Sequence, residues 1–336
     1  MFDWLKNKKN SEHVSLDLSI TQLNEHEQSF VQNMVESDQF SIPLKPFGVD
    51  KFDSLGSHTP IYRSDIAKIS HIVAVASGKG GVGKSTTSVN LARSLQQLGA
   101  RVGVLDADIY GPSIPKMLGV ETKRPESFDG KIMQPVESED GLFSNSIGYL
   151  IQQDDAAIWR GPMASRALEQ LFNETAWGEL DYLIIDLPPG TGDIQLTLSQ
   201  KLPLSAAVIV STPQDIALID AIKAFAMFEK VDVKTLGLVE NMSVHICSNC
   251  GHESHIFGQD GVKNLASKKS IQFLGEAPLS LELREFMDNC QQTALSDMSF
   301  SKHYQVIALR TAIELAKLAT EKQQENGLSI PITEIK

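Results

Sequence analysis

One short segment restricts this chain more than any other: Ser77-Gly78-Lys79-Gly80-Gly81-Val82-Gly83-Lys84-Ser85-Thr86-Thr87. It matches G-x-x-x-x-G-K-[ST] from Gly78 to Ser85, directly after the apolar run Ile72–Ala76 and directly before a helical pattern. Gly78, Gly80, Gly81 and Gly83 let the backbone fold so that successive N–H groups turn inward, and Val82 and Thr86 belong to the same cradle. The start of the helix adds a partial positive charge there, so the loop suits phosphate. Lys84 is placed for the β- and γ-phosphates, and the Ser85 hydroxyl for Mg²⁺.

The rest of the sequence agrees with the fold this loop demands. Short, continuous apolar runs rich in β-branched residues recur at Ile72–Ala76, Val102–Leu105, Tyr182–Ile185, Ala206–Val210, Leu236–Val239 and Gln272–Leu274. Continuous apolarity predicts strands buried on both faces. Helical spacing lies between them, as in Val89, Leu91, Ala92, Leu95 and Leu98, with Gly99 as the stop; a last strong pattern runs from Tyr304 to Lys322. Strands alternating with helices predict an α/β domain, a P-loop NTPase with a mainly parallel sheet flanked by helices. It is expected over residues 71–325, followed by a tail at 326–336.

Residues 1–70 are different: polar, then punctuated by Pro43, Pro46, Gly48, Gly56 and Pro60. They predict a short appendage of unassigned fold, part of it disordered, with one amphipathic helix over Ser19–Val35 carrying Ile20, Leu23, Phe30, Val31 and Met34. The chain of 336 residues has a net charge of −12, which argues against binding nucleic acid or anionic lipid. It lacks the long apolar run of a membrane span and an apolar stretch behind the basic cluster at Lys6, Lys8 and Lys9, so a cytoplasmic protein is expected.

Carboxylates follow two of the strands. Asp106 and Asp108 close the second, at the rim where α/β sheets bind ligands. Asp108 suits a general base for the attacking water, and Asp106 a supporting or merely strand-closing role. Asp186 ends the strand Leu183–Ile185 and suits a Walker B carboxylate in the Mg²⁺ shell. Pro188-Pro189-Gly190-Thr191-Gly192-Asp193 then reads as a switch loop, with the Gly190 N–H free for the γ-phosphate and Asp193 capping the next helix. Asn241, after another strand, can pair its amide with an adenine edge, and no guanine-specific N-K-x-D is present, so ATP is favoured over GTP.

Cys247 and Cys250 form a C-x-x-C beside His245, His252 and His255. A redox dithiol lacks its usual βαβ context, and an intrachain zinc site using His252 or His255 is compressed relative to zinc fingers. Two copies of the pair across a two-fold axis would instead supply four thiolates, suited to [4Fe–4S] or to Zn²⁺. Cys290 stands alone as a bystander.

Lys79 inside the loop resembles the deviant Walker A of the ATPase branch holding the Min, Par, arsenite-pump and nitrogenase iron-protein families. In that branch the extra lysine reaches the phosphates of a partner subunit. KGGVGKST, LDADIYGPSIPKMLG, NSIGYL, WRGPMAS, DYLIIDLPPGTGDIQLTLSQ, STPQDIALIDA and VENMSVHICSNCGH succeed one another in that order. From Lys68 to Leu318 the chain resembles the Mrp/ApbC family of iron–sulfur cluster carrier ATPases. The resemblance implies a homodimer that binds ATP and hydrolyses it slowly. It also implies a [4Fe–4S] cluster bridged by Cys247 and Cys250 of each subunit, received from cluster-assembly donor proteins and passed to apoprotein clients. Bacterial members often begin with a longer acidic-motif domain whose D-P-E signature residues 1–70 do not show. The competing expectations are a Par/Min-type positioning ATPase with a structural zinc, and a nickel-insertion NTPase, which would carry a His-rich tract absent here.

Overall fold

The computed structural model describes residues 24–29, 66–127, 129–150, 161–289, 295 and 298–327, with side chains to Glu321. The elements run β1 (Ile69–Ala76), α1 (Lys84–Gln97), β2 (Val102–Asp106), α2 (Ile114–Met117), β3 (Val136–Glu137), β4 (Phe143–Ser146) and α3 (Gly161–Asn173). Then come β5 (Leu180–Asp186), α4 (Asp193–Lys201), β6 (Ala206–Ser211), α5 (Asp215–Lys230), β7 (Thr235–Ile246), β8 (Glu253–Ser254), α6 (Gly261–Lys269), β9 (Phe273–Leu279), α7 (Leu281–Asn289) and α8 (Ser301–Gly327).

The strands form one sheet in the order β3-β4-β2-β5-β1-β6-β7, with β8 and β9 both pairing β7. Every pairing is parallel except the short antiparallel additions β3 and β8. The continuous apolar strands are explained by cover on both faces. In β1, Val73 and Val75 enter one core with α1, α7 and α8, while Ile72, Ala74 and Ala76 enter the other with α3, α4, α5 and α6. Burying each valine or isoleucine side chain here contributes roughly 1.5–3 kcal/mol, and each alanine methyl under about 1 kcal/mol. Helix α1 stops where Gly99 takes φ 103° and donates to Gln96 O, and Ala100 donates to Leu95 O. That left-handed closure needs glycine.

Two strands include polar stretches that no apolar run marks. β7 runs on from Val239 to Ile246, because Glu240, Asn241 and Ser243 are buried polar residues with internal partners rather than a loop. β4 is polar, Phe143-Ser144-Asn145-Ser146, and is held by parallel pairing to β2 and by side-chain bonds such as Asn145 Nδ2 to Thr175 Oγ1 at 2.7 Å.

Of the expected Ser19–Val35 helix, the described part is a helical turn at 25–29. Asn24 and Glu27 cap it reciprocally, each backbone N–H donating to the other's side chain at 2.9 Å. Glu27 is buried and paired with Arg310 of α8, Nε to Oε1 at 3.1 Å. Ile20, Leu23, Phe30, Val31 and Met34 lie outside the described residues, as do Trp159, Arg160, Cys290 and the last nine residues of the tail. Helix α8 continues to Gly327, past the boundary expected at 325.

Candidate nucleotide and cysteine sites

Strand register brings the charged residues together. β1 and β2 flank β5 with Val75 opposite Asp186 and Asp106 opposite Asp186, so the loop after β1 and three carboxylates share one end of the sheet. Lys84 Nζ lies 2.8 Å from Asp186 Oδ2 and 3.8 Å from Asp108 Oδ2. Asp186 Oδ2 also accepts from Ser85 Oγ at 2.6 Å, and Oδ1 from Ser88 Oγ at 2.7 Å. Lys84, Asp108 and Asp186 are all buried. A hydroxyl and a carboxylate in contact at a helix start are hard oxygen donors, and the set fits Mg²⁺.

Asp106, buried completely, organises the segment after β2. Its Oδ1 accepts from the Asp108 N–H at 3.1 Å. Its Oδ2 accepts from the N–H groups of Ser113 and Ile114 at 3.0 and 3.1 Å and from Ser146 Oγ at 3.0 Å. One carboxylate thus fastens both feet of the arch that carries Asp108. Burial, then the neighbouring Asp186, pushes its pKa up to about 7 against the lowering by Lys84 and these donors. Burial raises Asp108 as well, with Lys84 opposing, and its Oδ1 has no hydrogen-bond partner.

The phosphate loop is held from three directions. Gly81 and Gly83 take φ 79° and 81°. A side chain on Gly78 would overlap the backbone of Asp220 in α5, and one on Gly83 would overlap the Asn241 amide. Lys79 is half-buried, its carbonyl accepts from Ser77 Oγ at 2.8 Å, and it makes no ion pair among the described residues.

Three expectations change. Gly190 does not offer its N–H outward: at φ 95° it donates to Ser77 O at 2.9 Å, tying the switch loop to the phosphate loop. Asp193 is not the cap of α4. Gly192 is, and Asp193 sits in the first turn, where its charge complements the helix dipole. Asn241 lies within β7 rather than after it: one N–H of its Nδ2 donates to Val82 O at 2.9 Å, and its Oδ1 is buried without a partner.

Cys247 and Cys250 occupy the turn between β7 and β8, whose strands pair His245 with Ser254 and Ile246 with Glu253. Cys247 N–H donates to His252 O at 3.0 Å, and Gly251 N–H, at φ 69°, to Cys247 O at 2.8 Å. Both thiols are free, Cys250 exposed and Cys247 partly so. Backbone N–H groups of Asn249 and Cys250, with the Cys250 thiol, hold the Cys247 pKa below the usual thiol range. Two of the three histidines use a ring nitrogen on backbone carbonyls: His245 Nδ1 faces Leu279 O at 3.2 Å and His255 Nδ1 faces Ser243 O at 3.0 Å. Among the described residues no three His, Cys, Asp or Glu converge to hold a metal ion, so the intrachain zinc site is not assembled.

A parallel sheet with a phosphate loop after its central strand, a lysine–carboxylate centre and a flanking deviant lysine define a P-loop NTPase of the deviant Walker class. The chain belongs to the family described as NUBPL iron-transfer P-loop NTPase, matching over residues 68–312. It is 59% identical over 249 residues to the iron-sulfur cluster carrier protein of Escherichia coli, spanning 74% of this chain and 67% of that one. It is 45% identical over 264 residues to the iron-sulfur cluster transfer protein NUBPL of Dictyostelium discoideum, spanning 78% and 81%. Among solved structures, a nucleotide-binding protein in complex with ADP from Archaeoglobus fulgidus superposes with TM-score 0.60 at 40% identity, covering 66% of this chain and 87% of that one. The MinC:MinD complex of Aquifex aeolicus superposes with TM-score 0.53 at 20% identity, covering 79% and 98%, which is a likeness of fold. No helix among the described residues is long and apolar enough to cross a membrane.

Proposed function

We propose that this chain binds ATP, hydrolyses it slowly, and carries a [4Fe–4S] cluster between two copies of itself for transfer to apoproteins. The observation that carries the reading is the pair Cys247 and Cys250. They form an exposed two-thiol half-site, with no third ligand among the described residues, in a chain that also holds a complete phosphate loop. A four-ligand thiolate centre then requires a second subunit. The low-lying Cys247 thiol suits ligation by thiolate.

At the nucleotide, the N–H groups from Gly78 to Thr86 bind the phosphates. Lys84 moves its charge from Asp186 to the β- and γ-oxygens, and the partner subunit's phosphates receive Lys79. Ser85 and Asp186 are the residues that would hold Mg²⁺, which supplies charge neutralisation on the phosphates. Asp108, whose Oδ1 is buried without a partner, orients the attacking water and takes its proton. Asn241 Oδ1 accepts from the adenine amino group. The switch loop Asp186–Asp193 reports the nucleotide state to the dimer.

Anaerobic reconstitution with iron and sulfide, followed by metal analysis and sedimentation velocity, tests the reading. Uptake by a dimer is expected, with Cys247→Ala and Cys250→Ala each losing the cluster. Equal uptake by these variants would sink it.

A further inference from the structure

One strand, β7, touches the phosphate loop and leads into the cysteine turn. Asn241, in the middle of β7, donates to Val82 O, and its amide packs so closely on Gly83 that no side chain fits there. The Met242 methyl reaches towards the same glycine, 3.9 Å from where a side-chain carbon would begin. Gly83 directly precedes Lys84, at the cap of α1. Six residues beyond Asn241 is Cys247, about 20 Å along an extended strand.

Between the two lies an irregularity. Met242 has φ 57°, a left-handed conformation that an unbranched non-glycine residue adopts at a cost of about 1–3 kcal/mol. At the same place the pairing of β7 with β9 shifts register, between Asn241 and His245. Beyond it the strand is fastened again: Ser243 Oγ donates to Ala277 O at 3.2 Å, and Ser243 O faces His255 Nδ1, on the returning side of the cysteine turn, at 3.0 Å. Such a kink is held only because its surroundings over-determine it.

We infer that Asn241, Met242 and His255 are positioning residues that link nucleotide occupancy to the geometry of Cys247 and Cys250 through the kinked strand β7. This rests on the carrier reading above and names a route within it. When Lys84 and Gly83 adjust to bound phosphates, the contacts on Gly83 and Val82 move Asn241 and Met242, and the fixed kink passes the displacement to the cysteine turn. Whichever way the cysteines respond, linkage makes the effect reciprocal: a ligand on the thiols alters nucleotide affinity by the same factor.

The test uses full-length protein without cluster. Alkylation rates of Cys247 and Cys250 are measured peptide by peptide by mass spectrometry, with and without saturating Mg²⁺ and a non-hydrolysable ATP analogue, and analogue binding is measured by calorimetry. The wild type is expected to change its rates about fivefold or more on binding. Met242→Gly frees the kink and should bind the analogue yet lose the change. Met242→Asn tolerates the left-handed conformation and should keep it. His255→Ala cuts the link on the far side and should also lose the change, and serves if Met242→Gly does not fold. Wild-type rates indifferent to bound analogue, or a Met242→Gly or His255→Ala protein that keeps the full response, would overturn the inference. Failure of the carrier reading is seen separately, as absent cluster uptake in reconstitution.

Discussion

Two side chains at the nucleotide centre make separable demands. Lys84 is buried against Asp186 and Asp108 and faces the phosphates of the proposed substrate. Lys84→Ala is expected to lower phosphate release by about 100-fold or more. Iron and sulfide uptake measured without nucleotide should stay close to wild type, because Lys84 supplies no ligand to the cysteine turn. Asp106 is a different case, since its carboxyl is held up to about 7 by burial and by Asp186. Its folded pKa exceeds its unfolded value, so the folded protein binds more protons between roughly pH 4 and pH 7, and stability falls as pH rises through that window. Relative to Asp106→Asn, which does not titrate, the wild type should gain stability as pH is lowered from about 7.5 to about 5.5. Urea unfolding of both at the two pH values checks the sign. The pattern L-D-A-D announced carboxylates at the sheet rim, but only the folded chain divides their work. Asp106 takes four donors and Asp108 keeps one buried oxygen unpartnered because the chain turns back at Ser113 and Ile114, a contact that no local pattern encodes.

At the level of elements, the loop and the helices set each other's positions. Gly78 lies so close to the backbone of α5 that a methyl group has no room, and the obstacle is main chain rather than a movable side chain. Gly78→Ala should therefore leave secondary structure intact by circular dichroism while displacing the loop from α5. Nucleotide binding measured by calorimetry should weaken at least about tenfold, the equivalent of about 1.4 kcal/mol. The elements that sequence made visible were the strands covered by apolar side chains on both faces, β1, β2, β5 and β6, and the helices whose apolar residues recur at helical spacing, α1 and α8. The ones it hid are held by polar contacts to distant residues. β4 needs Thr175 and Asp106, and the far half of β7 needs Val82, Ala277 and the amides of α6. Gly190 misled for the same reason, since its N–H finds Ser77 across the site and not a phosphate.

For the whole molecule, the contact with most leverage is Glu27 with Arg310. Both are largely buried, and the pair attaches the turn at 25–29 to α8, which itself packs on α1 and β9. Glu27→Gln removes the carboxylate charge facing the guanidinium, which keeps its bond to Leu274 O. Chemical denaturation should show a loss of about 1–3 kcal/mol. An unchanged midpoint would mean that solvent replaces the pair without penalty.

That attachment spans 283 positions of sequence. A chain emerging from the ribosome, at roughly 5–20 residues per second, presents Glu27 long before Arg310. The turn at 25–29 therefore waits, without its charged partner, while β1 to β9 are made, and it reaches its place only after α8 has left the exit tunnel. A segment made before the whole sheet is secured after it. Throughout synthesis of the intervening sheet, that turn lacks the charged partner that holds it in the finished fold.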